Sequence, residues 1–172
     1  MELVLEIGDR CTQVAFRDLF EEAASRPATA TVAHLLVLAA IELVTTPAVL
    51  EQLKVRGAAP VETVFVGDHA FIVTPTGICT GHVGLCKELA TKGKRVVWLV
   101  THDYESKAAR LLRSYRFSRR VGVRRLEDFL SLRTLFTSWD KRISEKDAAC
   151  FIVMRCQELL TERDAGIAIS VR

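Results

Sequence analysis

The stretch Val61-Glu62-Thr63-Val64-Phe65-Val66-Gly67-Asp68-His69-Ala70-Phe71-Ile72-Val73-Thr74-Pro75 decides the fold. Val61 to Val66 is rich in β-branched and aromatic residues, which suit a pleated, half-buried surface. Gly67-Asp68 is a turn signal. Ala70 to Thr74 reads as a second strand of the same character, and Pro75 closes it. Two strands joined by so short a turn are close enough to form a hairpin.

On the C-terminal side the chain alternates between helical and extended patterns. A helix is predicted from Gly81 to Lys92, with Thr80 as N-cap and Gly93 as its stop. Arg95 to Thr101 is almost wholly apolar, as expected of a strand buried on both faces. Tyr104 to Phe117 reads as a helix, Val121 to Leu126 as a short strand and Glu127 to Phe136 as another helix. Ser144 with Asp147 resembles a capping box. The helix that follows places Ala149, Ile152, Val153, Cys156, Leu159 and Leu160 on one face. Ile167 to Val171 reads as a terminal strand.

On the N-terminal side the reading is helical. Gln13 to Ser25 has helical spacing and ends at Pro27. Thr31 caps an apolar helix from Val32 to Val44. Thr46-Pro47 looks like an N-cap and first helical position, opening a helix to Val55 that Gly57 stops. The chain thus reads as one α/β domain over residues 1–172, with a mixed central sheet flanked by helices. Residues 1–57 form a helical N-terminal part, 60–130 a βα core, and 144–172 a C-terminal helix and strand.

The 172 residues are 49% apolar and 26% charged, an ordinary globular composition. The acidic start Met1-Glu2-Leu3-Val4-Leu5-Glu6 is unlike a secretory leader. The most apolar run, Val32 to Val44, is too short to span a bilayer. Five cysteines at irregular spacing fit reduced core residues of a cytoplasmic protein, not a disulfide framework or a zinc site. These features predict no membrane partner.

Charge is unevenly distributed. Lys107, Arg110, Arg113, Arg116, Arg119, Arg120, Arg124 and Arg125 fall in one segment without an acid, giving it a charge of +8 in a chain whose total is +3. Arg110, Arg113, Arg116 and Arg120 recur at helical steps, with Arg119 beside them, whereas Arg124 and Arg125, adjacent in a strand, point to opposite faces. Arginine suits phosphate because its planar fork donates two hydrogen bonds to one anion. The segment therefore reads as a nucleic-acid-binding surface, with an ordinary solvated face or a protein-docking face as alternatives. Tyr115 and Phe117 either stack on bases or anchor the core.

Three carboxylates are candidate catalytic groups: Glu62, Asp68 and Glu42. Metal-dependent nucleases gather acids from a helix and adjacent strands because Mg²⁺ takes oxygen ligands while holding a scissile phosphate. Glu62 and Asp68 are the candidate metal ligands. A lysine two residues beyond the last acid is absent, since Ala70 stands there. The competing reading makes Asp68 a plain turn residue and Glu62 an outward strand residue. Two further places read as plain structure, with a ligand site as the alternative: the Gly77–Gly84 loop as helix punctuation, its glycine spacing matching neither a P-loop nor a dinucleotide fingerprint, and His102-Asp103 after a buried strand as a capped helix start. His82 and Cys86, four apart, read as helix packing rather than a catalytic pair.

The run Val66 to Pro75, with Cys86, the strand Arg95–Thr101 and Leu126-Glu127-Asp128-Phe129-Leu130, resembles the C-terminal half of type II restriction-endonuclease-like proteins. The element order also agrees with their α-β-β-β-α-β core if one early strand is supplied. The resemblance implies a protein of a bacterial restriction or defence system that acts on duplex DNA, using Mg²⁺ where it cuts. The missing lysine and the short chain imply either a small subunit that cuts with a partner or homodimer, or a degenerate nuclease fold kept for binding. The alternative is a non-enzymatic subunit docking an acidic protein through its arginines. A small-molecule site at the Gly77–Gly84 loop and His102-Asp103 is the third reading.

Overall fold

The hairpin forms as the sequence predicts. Strand β4 (Val61–Val66) pairs antiparallel with β5 (His69–Thr74), Val66 opposite His69. Gly67, at φ 55°, takes the first turn position, where a side chain would be strained. The computed structural model of the chain describes residues 2–7, 9–15, 27–44, 48–74, 77–114, 119–129 and 145–171.

By its contacts the chain groups into two compact units, residues 47–129 and residues 1–46 with 130–172. The first of these holds a five-stranded sheet in the order β3-β4-β5-β6-β7. Its edge strand β3 (Val49–Leu53) pairs antiparallel with β4. After β5 come helix α2 (Thr80–Thr91), strand β6 (Arg95–Val100), helix α3 (His102–Ser114), strand β7 (Val121–Arg125) and the short helix α4 (Leu126–Phe129). β6 is parallel to both β5 and β7, which long crossover helices require.

One face of this sheet carries the core. Val61, Ala70, Ile72, Val96, Trp98 and Val100 pack with Val83, Cys86 and Leu89 of α2 and with Ala108 and Leu112 of α3. Both helices therefore cover the same face. Trp98 is fully buried at its centre. Its Nε1 donates to Thr74 Oγ1 at 2.8 Å, and that hydroxyl donates to the Leu99 carbonyl at 3.3 Å. His82 stacks on Trp98 with ring centroids 5.8 Å apart. Gly81 is required by packing, since a Cβ there would collide with the Arg56 carbonyl. On the opposite face Phe71 meets Phe129 at 5.6 Å.

Burial pushes the His82 pKa below its usual 6.5. The unfolded chain takes up this proton near pH 6.5 and the folded chain only at lower pH. Stability is thus complete above that value and falls as pH drops below it. Thermal melts from pH 8 to pH 5 are expected to show this loss, and His82→Asn, which keeps an acceptor toward Cys79, to flatten it. An equal loss in the variant would assign the pH dependence elsewhere.

The other unit is a three-stranded antiparallel sheet, β2-β1-β8, with two helices. β1 (Glu2–Ile7) pairs with β2 (Arg10–Ala15) and with β8 (Ile167–Val171). Helix α1 (Pro27–Val44) packs on α5 (Glu145–Glu162). Val32, Ala33 and the run Leu35 to Ile41 are buried, as are Ala149, Ile152, Val153, Cys156, Leu159 and Leu160 of α5.

Three N-terminal expectations are corrected. Gln13–Ala15 is strand, because β2 finds β1 as a hairpin partner; the rest of the predicted 13–25 helix lies outside the described residues. Pro27 opens α1 instead of ending a helix, a place where its missing N–H costs nothing. Val49–Leu53 is strand rather than helix, since pairing with β4 supplies its backbone hydrogen bonds and outweighs the local cap signals. Residues 1–57 are therefore not a helical part. Of the cysteines, Cys86 and Cys156 are core residues whose thiols burial pushes up to about 12, whereas Cys11 and Cys150 are exposed.

Candidate nucleic-acid interface

Charge divides between the two units. Residues 47–129 carry 14 Lys and Arg against 8 Asp and Glu, a net +6, so the remainder of the +3 chain is −3. Within the sheet unit the cations gather at the edge where β6 and β7 begin.

Three backbone segments build that edge. Gly93, at φ 86°, turns the chain after α2, and the Arg95 N–H donates to the Asp68 carbonyl at 2.7 Å. The Val96 N–H donates to the Arg120 carbonyl at 2.7 Å, and Arg120 Nη1 donates to the Gly93 carbonyl at 3.0 Å. These bonds tie the hairpin turn, the start of β6 and the start of β7 together. Strand alternation does the rest: Val96, Val121 and Val123 face the helices, so Arg95, Gly122 and Arg124 point away from them.

The result is a cleft of about 500 Å³ lined by Asp68, His69, Arg95, Arg119, Arg120, Gly122 and Arg124 among others. Four guanidinium groups face a single carboxylate. Asp68 lies 2.7 Å from His69 Nδ1 and 3.4 Å from Arg95 Nε. Among the described residues Arg119 and Arg124 form no ion pair. Uncompensated guanidinium forks converging on one concavity attract anions.

Of the arginines predicted as nucleic-acid contacts, Arg110 and Arg113 lie on the exposed side of α3, opposite buried Ala108 and Leu112. Arg119 and Arg120 line the cleft. Arg116, like Tyr115 and Phe117, lies outside the described residues. Arg125 is occupied by Glu105 at 2.6 Å. Arg95, which the cluster in sequence did not include, joins through the parallel register of β5 and β6, where it stands opposite His69.

The candidate carboxylates are distributed differently. Glu62 is 7% exposed, so it is not an outward residue, and its Oε1 accepts a hydrogen bond from Gln52 at 3.0 Å. It is the second residue of β4, and Asp68 sits in the turn beyond the other end. Four residue steps, roughly 13 Å at about 3.3 Å each, separate Glu62 from Val66, where that turn starts. Glu62 faces Val73 across the hairpin, and β5 contains neither acid nor lysine. Glu42 belongs to the other unit, with its Oε2 2.8 Å from Arg155 Nε. Among the described residues, no group of three or more His, Cys, Asp or Glu is placed to hold a metal ion. Glu62 and Asp68 thus stand toward opposite ends of β4 and its turn.

The remaining candidates separate too. The Gly77–Gly84 segment contributes Thr80, Gly81 and Gly84 to a cleft with Lys54, Arg56, Leu85 and Glu88, which His102 and Asp103 do not line. His82 Nδ1 accepts the Cys79 N–H at 3.0 Å and lies 3.4 Å from Cys79 Sγ, while Cys86 packs in the core. Among the described residues no helix is long and apolar enough to cross a membrane. No protein-family model, curated protein or solved structure matches the chain.

Proposed function

We propose that this chain binds duplex DNA through the basic edge of its sheet unit, as a binding rather than a cutting relative of the restriction-endonuclease-like proteins, within a bacterial restriction or defence system. The observation that carries the reading is the convergence of Arg95, Arg119, Arg120 and Arg124 on one cleft, with Arg110 and Arg113 exposed on the helix that leads toward it. The fold class has its own support. Within the sheet unit β3, β4, β5, α2 and β6 follow one another as β-β-β-α-β, an order that agrees with the last five elements of the α-β-β-β-α-β core, while α1 belongs to the other unit. Absence of acid and lysine from β5 favours binding over cutting.

Asp68 separates the two roles. As a metal ligand it would be needed for cleavage; as the lone carboxylate of a cationic cleft it opposes phosphate. Asp68→Asn is expected to tighten duplex binding about threefold to tenfold at low salt, the scale of one like-charge repulsion removed. Fluorescence anisotropy with a labelled duplex measures it. Weaker binding, or loss of a Mg²⁺-dependent cleavage that the unmodified protein shows, would replace this reading with an active nuclease. Charge reversal at Arg113, Arg119 and Arg120 that breaks a complex with an acidic protein and spares DNA binding would favour a docking subunit.

A further inference from the structure

The floor of the basic cleft is a residue whose backbone does not ask for its type. Gly122 lies inside β7, is not in the left-handed region, and a Cβ built on it meets nothing within 4 Å. Glycine in a strand interior weakens it and often marks a place where a ligand comes close to the backbone. The register shows where that place is. On the face away from α2 and α3, His69 and Arg95 form one row, Phe71, Val97 and Gly122 the next, and Leu99 and Arg124 the third. A side chain at 122 would stand between Arg124 and the Arg119-Arg120 turn. Without one, the cleft is open down to the strand.

We propose that this cleft is a pocket for a phosphate monoester at the end of a nucleic-acid strand, with Arg95, Arg119 and Arg124 as donors and Gly122 as the floor; the proposal rests on the DNA-binding reading above. A terminal phosphate carries roughly −1.5 to −2 charges and three free oxygens, where a diester inside a strand carries one charge and two. Three guanidinium forks from three separate segments match the monoester better. Shape agrees with charge: about 500 Å³ holds a phosphate and its nucleoside, whereas an intact duplex can only lie across the mouth.

The test uses the full chain and one blunt duplex made with 5′-hydroxyl, 5′-phosphate or 3′-phosphate ends, at about 0.15 M salt where unspecific attraction is screened. A phosphorylated end is expected to bind about tenfold more tightly, the size of one strong added contact. Gly122→Leu should bring that duplex down to the affinity of the hydroxyl-ended one. Should the leucine variant fail to fold, Gly122→Val, whose branched side chain suits a strand, carries the same test. Equal affinity for all three duplexes, or a preference that survives at position 122, overturns the pocket while leaving DNA binding in place. Binding of none overturns both. Inorganic phosphate that raises the melting temperature as much as the phosphorylated duplex assigns the cleft to a free anion and overturns the strand-end proposal.

Discussion

Trp98→Ala is expected to lower the stability of the sheet unit by about 3–5 kcal/mol, enough to unfold it at ordinary temperatures if its margin is typical. Trp98 is fully buried between α2 and α3, stacked by His82 and hydrogen-bonded through its indole to Thr74. Truncation removes the apolar surface, leaves a cavity that neighbours fill only in part, and takes the indole donor from the Thr74 hydroxyl, which keeps its bond to the Leu99 carbonyl. Thr74→Val separates the last effect from the first. It should cost about 1–3 kcal/mol in the native background, because the buried indole N–H loses its acceptor. In a Trp98→Phe background it should cost much less, because the donor is gone as well. Chemical denaturation of the four proteins checks the cycle; additive costs would mean that the hydrogen bond contributes nothing.

Replacing Arg95, Arg119 and Arg124 together with alanine is expected to weaken duplex binding on the order of 100-fold at low salt. Each removes a charge-assisted contact of roughly 1 kcal/mol after allowance for its exposure. The fold should survive, since all three side chains are exposed. Melting within a few degrees of the unmodified protein, together with loss of binding, is the expected pair of results. Replacing Lys54, Arg56 and Lys87, equal in charge but remote from the cleft lining, should cost far less. Equal losses from the two triple variants would mean that net charge, not the cleft, does the binding.

The parts of the fold visible in the sequence were those held by local pattern. Val61–Thr74 carries its own turn and its own β-branched runs, and Arg95–Val100 is apolar enough to declare a buried strand. The helix of Ala149 to Leu160 shows its face by periodicity, and Ile167–Val171 its strand. What stayed hidden depends on distant partners. β1 pairs with β8 from the opposite end of the chain, and nothing in Glu2–Ile7 announces a partner some 160 positions away. β3 is a five-residue edge strand, flanked by Thr46-Pro47 and Gly57, whose cap-like signals point to helix until β4 is beside it.

The same division runs through the candidate site. Contiguous charge identified Arg110, Arg113, Arg119 and Arg120, because neighbours on a helix or turn are neighbours in space. It missed Arg95, and it did not show that Arg125 faces Glu105. Parallel pairing carries Arg95 to Arg124's side of the sheet, and linear spacing does not encode that. Glu62 and Asp68 looked like partners because metal-dependent nucleases gather acids from adjacent strands; an extended strand puts distance between them.

The most direct test of DNA binding at the basic edge is the salt dependence of duplex affinity. With four to six phosphates engaged by Arg95, Arg110, Arg113, Arg119, Arg120 and Arg124, the logarithm of the association constant should fall linearly with the logarithm of salt. The expected slope is about −3.6 to −5.4, from about 0.9 per phosphate, and the Arg95, Arg119, Arg124 triple variant should be shallower by about 2.7. A slope near zero, or no measurable binding at low salt, would contradict it.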